Sequence, residues 1–486
     1  MIQTFLNQTT FRRICRFAIE ATVALLMIGT MAGSSPLASA QDAVRFSNNI
    51  ETPFLSPGHG IAASETTAQE NIDPTDARFL AMQEELDHLR TSLAENNKRF
   101  NTFEKATDKS SAPATTNFPT TKLTGFFQAD AGWFHQDAKS LAQFGDIQDN
   151  RGFRRTRLGA SGKVAENVNY LLEMDFALAG RPSFRDVRLD ISEVPVAGNV
   201  RIGVFRQPFG MDEFTSAKEM TFLERSSLQG MAPFRQVGIS AYNTASDDNV
   251  TWAASAFGTN SDAWGNSIGD RGYGMASRIT AVTAEDKCAD FLIHSGLGYA
   301  FLTTPNHAIQ YRGNPEYVGP VGLPDSAAFF TDTGLIAANN ANLFNGELAS
   351  TWGAWHAQSE LRYNLLNLSS GGTAGFPSVY AQTGYILTGE HRPYSKPNAV
   401  LGRVKPKNAV GKGGIGAWEL AARYSMVDLN EGAINGGRLN NITYGLNWYL
   451  NDFTKFQFNY IDSSLDRAPV GDSHANIFAV RAQVDF

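Results

Sequence analysis

The sequence predicts an all-β fold, a transmembrane antiparallel β-barrel of about 16 strands, preceded by a short N-terminal α-helical coiled coil. Three features point to it. From residue 122 onward, segments of about ten residues alternate apolar and polar side chains. After residue 40 no apolar run approaches the roughly 20 residues of a spanning helix, so a membrane form of this chain crosses with strands. The last segment, ANIFAVRAQVDF, sets Phe478, Val480, Ala482, Val484 and Phe486 on one face and Arg481 and Gln483 on the other.

In chain order, residues 1–40 read as a secretory signal peptide. Arg12, Arg13 and Arg16 precede the apolar run AIEATVALLMIGTMAG, and Ala38-Ser39-Ala40 offers a small-residue cleavage pattern before Gln41. A membrane anchor is the alternative, but Glu20 interrupts the run. Taking three basic residues and one acidic residue from totals of 41 and 48 leaves 38 against 47, a net charge of −9. That balance carries no nucleic-acid footprint. Cys15 goes with the signal peptide, so the mature chain keeps Cys288 alone and no internal disulfide is available.

Residues 41–75 are polar without sustained periodicity, a disordered lead. From Phe79 the spacing alternates three and four through Met82, Leu86, Leu89, Leu93, Asn96, Phe100 and Phe103, the seam of a coiled coil over 76–107. A coil here implies an oligomer in the periplasm. A single amphipathic helix lying on the barrel is the alternative. DKSSAPATTNFPTT, residues 108–121, is a linker.

Residues 122–486 read as the barrel. FFQADAGWF places Phe127, Ala129, Ala131 and Trp133 opposite Gln128, Asp130 and Gly132. AWELAARYSM, NITYGLNWYL and KFQFNY repeat the pattern, with Glu419, Arg423, Asn447, Lys455 and Gln457 on their polar faces. Small or aromatic residues on one face and charged ones on the other suit lipid outside and water inside. Trp133, Trp352, Trp418 and Trp448 fall near strand ends, where interfacial girdles lie. Strands are expected to begin near Leu123, Phe153, Val168, Arg185, Val200, Arg235, Val250, Gly272, Ala289, Gly346, Trp355, Ser378, Ile415, Arg438, Phe453 and Ala475. An even count puts both ends on the periplasmic side, and residues 390–414 then form an unusually long turn there, unless the parity slips.

A channel selects through what projects into its narrowest wet section. Residues 207–234, containing Lys218 and Arg225, can fold inward as a constriction or stand outside as a solvated loop. In GFRRTRLGASGK, period 2 gathers Arg155, Arg157 and Lys163 on one face, which must be the lumen because Arg on the lipid face costs about 2–4 kcal/mol. These cations either concentrate anions or pair with Glu173, Asp175 or Asp190. Asp186 and Asp190 share a strand face. The scattered histidines and the absence of a metal spacing, nucleophile elbow or phosphate loop give no sign of an enzyme, a cofactor or a metal.

FRRTRLGASGKV, VRIGVFRQPFGMDEFTSAKEMTFLER, YILTGEHRPY, GAWELAARYS and YGLNWYLND, with the terminal Phe, resemble the phosphate-selective porin O and P family across residues 122–486. The resemblance implies a trimeric sixteen-stranded outer-membrane channel for small anions, with Phe486 read by the outer-membrane assembly machinery. It also implies an anion site at Arg155 and Lys218. Two departures stand beside it: Asn169 occupies the place of a further lysine, and the connection 303–345 carries only Arg312 of an arginine ladder. Over the barrel, 31 Lys and Arg face 35 Asp and Glu, a net charge of −4. A structural barrel tethering the envelope through its coil is the competing reading.

Overall fold

The computed structural model describes residues 118–486, apart from 178–180, 260, 266–271 and 321–327, together with Asp87, Thr91, Ser92, Ala94 and Glu95. The signal peptide and the polar lead lie outside the described residues, as does nearly all of the linker and of the coiled-coil segment. The five described positions in that segment are helical and exposed, and all of them are off the expected seam.

Among the described residues, sixteen strands close into one antiparallel barrel. They are β1 Lys122–Gln136, β2 Asn150–Ala165, β3 Val168–Asp175, β4 Ser183–Val194, β5 Gly198–Arg206, β6 Arg235–Ala245, β7 Val250–Gly258 and β8 Tyr273–Asp286. The second half comprises β9 Phe291–Thr303, β10 Ile336–Trp352, β11 Trp355–Leu368, β12 Thr373–Ile386, β13 Ala417–Glu431, β14 Ile434–Tyr449, β15 Thr454–Arg467 and β16 Gly471–Asp485. Each strand pairs with its sequence neighbours, and β1 pairs with β16 from Phe126↔Asp485 to Gln136↔Ala475. Phe486 and Gly125 exchange backbone bonds of 3.0 Å beyond that register, so no edge is left open at the seam.

Alternation sets the two faces. On β16, Ala475, Ile477, Ala479, Arg481 and Gln483 are buried inward, while Phe478 and Phe486 are exposed outward. Leu158, Ile202, Ile239, Ile279, Leu297, Leu348 and Ile442 continue the outer apolar surface. Near the strand ends the rings pair up: Trp418 stacks on Trp448 at 5.0 Å, and Trp133 on Phe478 at 5.6 Å. Such belts anchor a barrel at the membrane interface.

Fifteen of the expected strand starts fall within a few residues of those observed. The exception is β10, which begins at Ile336 rather than Gly346 because its first turns carry Asn339, Asn340 and Asn342. Polar residues at that end do not break the strand; they extend it past the apolar band. The parity holds, so the connection 387–416 emerges at the same end as the short turns 353–354 and 450–453.

Candidate functional site

The lumen is shaped by the connection between β5 and β6. Residues 207–234 turn inward through a one-turn helix, Met211–Phe214, and a 3-10 turn, Ser227–Met231. Phe209, Met211, Phe222, Leu223, Leu228 and Met231 are fully or nearly fully buried. A backbone taken out of water needs donors for its carbonyls, and the barrel wall supplies them. Gln128 donates to Ala217 O at 3.0 Å, Lys455 to Met220 O at 3.0 Å and Asn447 to Thr221 O at 2.8 Å. Arg423 reaches Glu224 O at 3.1 Å, Arg362 reaches Leu228 O at 2.8 Å, and Arg481 donates to Leu223 O. Gly298 on β9 lets the loop in closely, because a Cβ there would overlap the Phe209 carbonyl oxygen.

Acidic side chains of the loop meet basic ones of the wall. Glu224 accepts from Arg155 Nη2 at 2.7 Å, Arg154 Nε at 2.9 Å and Arg481 Nη2 at 2.9 Å, and Arg481 also holds Asp130 at 2.7 Å. Two consecutive arginines reach one carboxylate because the register slips: Gln128 pairs with Arg155 but Ala129 with Phe153, leaving Arg154 as a bulge. Glu213 is bound by Arg362 at 3.1 Å, which lies 3.2 Å from Glu360 as well.

The expected site residues divide accordingly. Arg155 is in the knot around Glu224, and Arg157 is shared between Asp175 at 2.9 Å and Glu173 at 3.0 Å. Arg225 braces the loop itself, donating to Asp212 O at 2.7 Å and Thr215 O at 2.5 Å. Lys218 keeps a side chain 28% exposed, with Nζ 4.0 Å from an Asp485 that Arg403 already holds at 2.6 Å. Lys163 stands apart at the other end of β2, exposed and bonded to Glu166 O at 3.2 Å.

Two further connections enter the lumen. Within 304–335, Glu316 is buried and takes Arg423 at 2.7 Å, Ser425 at 2.6 Å and Thr443 at 2.6 Å. From the opposite end, 387–416 folds inward. Arg392 donates to Glu219 O at 2.6 Å, Tyr394 meets His294 at 2.7 Å, and Ala399 O accepts from Arg278 at 2.8 Å. Connections from both ends thus touch inside the barrel.

The packing is lopsided. On β10–β16 nearly every inward residue is buried, whereas β3–β7 keep long runs of half-buried residues, Arg188, Asp190, Arg201 and Tyr242 among them. Open space therefore lies along β4–β8. A cavity of about 230 Å³ there is bounded by Arg201, Arg206, Arg278, Phe205, Phe214, Tyr242 and short polar side chains, and among the described residues no carboxylate lines it. Beside it Asp190 holds Arg201 at 2.6 Å and Arg188 at 3.1 Å, and Asp186 holds Arg235 at 3.1 Å.

Sequence reasoning missed Arg154, Glu224, Arg481 and Arg206. Inward polar residues on β14–β16 (Asn447, Lys455, Gln457, Arg481, Gln483) were the available signal, since such a row needs something inside the barrel to donate to.

A closed sixteen-stranded barrel narrowed by an inward loop defines a porin of the outer membrane, a channel for small solutes. The chain belongs to the family described as Phosphate-selective porin O and P, whose model matches residues 122–486. Porin O of Pseudomonas aeruginosa is 26% identical over 408 residues, covering 75% of this chain and 88% of that protein. An uncharacterized protein of Caulobacter vibrioides is 28% identical over 390 residues, covering 75% and 74%. Among solved structures, the trimer form of OmpT of Vibrio cholerae covers 76% of this chain and 99% of its own, at 12% identity and a TM-score of 0.47. The anion-selective porin from Comamonas acidovorans covers 76% and 99%, at 14% identity and a TM-score of 0.44.

Proposed function

We propose that this porin passes small solutes by diffusion with a preference for anions, phosphate-like ions included. The carrying observation is the open side of the lumen: among the described residues, three arginines line its cavity and no carboxylate does. Cations fixed on a low-dielectric wall raise the local concentration of anions. Lys218, half-open to the lumen, acts with them, while Arg155, Arg157 and Arg225 support the path from behind as partners of carboxylates and carbonyls. Lys163 adds positive charge at the periplasmic mouth.

The functional unit in this reading is a homotrimer, delivered by a signal peptide over 1–40 and inserted by assembly machinery that reads Phe486. Support for the trimer comes from β3, β5 and β7, with eight, nine and nine residues. They are the shortest of the sixteen strands, the others running from 11 to 17 residues, so the wall is lowest here and suits cover by neighbouring copies. The heptad pattern over 76–107 supports a periplasmic coiled coil in this reading.

The test is the reversal potential of the purified protein in a planar bilayer under a KCl gradient. Wild type should select chloride, and Lys218→Glu and Arg206→Glu should each reduce that selectivity, their combination inverting it. A cation-selective wild type would overturn the anion preference. Absence of current from a folded trimer would leave the structural tether as the reading.

A further inference from the structure

We infer that the cavity along β5–β8 is a binding subsite for small aromatic carboxylates, with the carboxylate on Arg201 and Arg206 and the ring between Phe205, Phe214 and Tyr242. The inference rests on the anion preference and narrows it to a class of solute.

The lining has two characters at once. Arg201 stacks over Tyr242 at 4.7 Å and lies 5.8 Å from the Phe205 ring. Its Nε is taken by Asp190 at 2.6 Å, and neither terminal nitrogen has a hydrogen-bond partner among the described residues. A guanidinium held over a ring and fixed through Nε leaves its terminal nitrogens as a ready fork for a planar carboxylate, at little entropy cost. Arg206 donates through Nη1 to Phe214 O at 2.6 Å and Thr215 O at 3.1 Å, has no carboxylate partner among the described residues, and keeps an unpartnered buried Nε. Locally, four guanidiniums (Arg188, Arg201, Arg206, Arg235) face two carboxylates, Asp186 and Asp190. Arg278 is not a receptor, because Glu347 and the Ala399 carbonyl occupy it.

The rest of the lining argues against a bare oxyanion as the best fit. Phosphate or sulfate wants donors on every side, and hydrocarbon walls would strip its water without replacing it. Phe205, Phe214 and Tyr242 supply such walls, together with Pro208 and Pro397. An arene gains from the same surfaces by burial and by edge or face contact with the rings. Space is sufficient: an apolar cavity of about 150 Å³ accepts benzene, and this one measures about 230 Å³.

The experiment measures the block of the chloride current through single trimers in a planar bilayer by benzoate and by inorganic phosphate at one pH. Benzoate should halve the current at a concentration about tenfold or more below that of phosphate. Phe214→Ala combined with Tyr242→Ala should bring the two within about threefold. Tyr242→Phe, which keeps the ring, should retain the benzoate preference, and Arg201→Gln should weaken block by both anions. Heat-resistant trimer bands identify folded variants. Equal block by the two anions in wild type, or a benzoate preference that survives loss of both rings, would overturn the subsite. A cation-selective wild type would sink the anion preference itself, an outcome the reversal potential reads separately.

Discussion

Replacing Glu224 with Gln removes one charge from a knot in which Arg154, Arg155 and Arg481 meet Glu224 and Asp130. The amide keeps the shape, and the net charge of the knot rises by one unit. At about 10 Å from a permeating chloride, one unit charge contributes about 0.4 kcal/mol at an effective dielectric of 80 and about 1.7 kcal/mol at 20. That is about a 2- to 16-fold enrichment of chloride over the same site in wild type. Because about 10 Å is also the screening length near 0.1 M salt, the gain in chloride-over-potassium permeability should be clear at about 0.1 M KCl and nearly vanish at 1 M. Reversal potentials at the two salt concentrations read both effects. A second reading comes from stability: two buried guanidiniums and a half-buried one lose a shared carboxylate, a cost of about 3–5 kcal/mol, so the folded protein should lose its heat resistance at a lower temperature. Unchanged selectivity at low salt would show that the knot is electrically remote from the ion path and refute the reasoning. Higher conductance for both ions without a change in their ratio would mean instead that Glu224 acts only as a mechanical anchor of the loop.

Arg423→Met leaves buried Glu316 with only hydroxyl partners, costing about 3–5 kcal/mol; limited proteolysis of the folded protein should then cut around Glu316 faster than in wild type. Gly298→Ala drives a methyl into the Phe209 carbonyl, and the loop must step away from β9, so single-channel conductance should rise and become noisier while the barrel stays heat-resistant. Ile442→Lys sets a charge on the exposed outer face in the middle of β14, and equilibrium folding into lipid vesicles should lose about 2–4 kcal/mol, an amount that moving the same lysine to a strand end would shrink.

The wall of the barrel was readable because lipid and water impose opposite demands on alternate side chains, and AWELAARYSM or KFQFNY shows that alternation without help from distant residues. The contents of the barrel were not. Residues 207–234 have the composition of any solvated loop, and only the three-dimensional meeting of their carbonyls with Asn447, Lys455, Gln457 and Arg481 brings them inside. Period 2 also misplaces Arg154, which counts as lipid-facing until the bulge opposite Gln128 and Ala129 turns it inward. Residues 390–414 left a long periplasmic turn and a slip of parity equally open in the sequence, since such turns are short; the length of the connection is explained by Arg392, Tyr394 and Ala399, which it carries up into the lumen. The candidate cations were found as a class, but which of them face the path depended on partners far away in sequence.

The seam between β1 and β16 joins the first strand of the barrel to the last, over eleven paired residues. Contacts between such distant segments form late. Until they do, both strands present bare edges capable of pairing with any other chain. The same late strand supplies Arg481 and Gln483, which donate to Leu223, Glu224 and Lys218 of the loop. A barrel with an open seam therefore lacks these anchors of its constriction, and the state of the loop becomes a reporter of whether the seam has zipped. Crosslinks placed to trap the seam half-open should yield wide, unselective pores rather than closed ones.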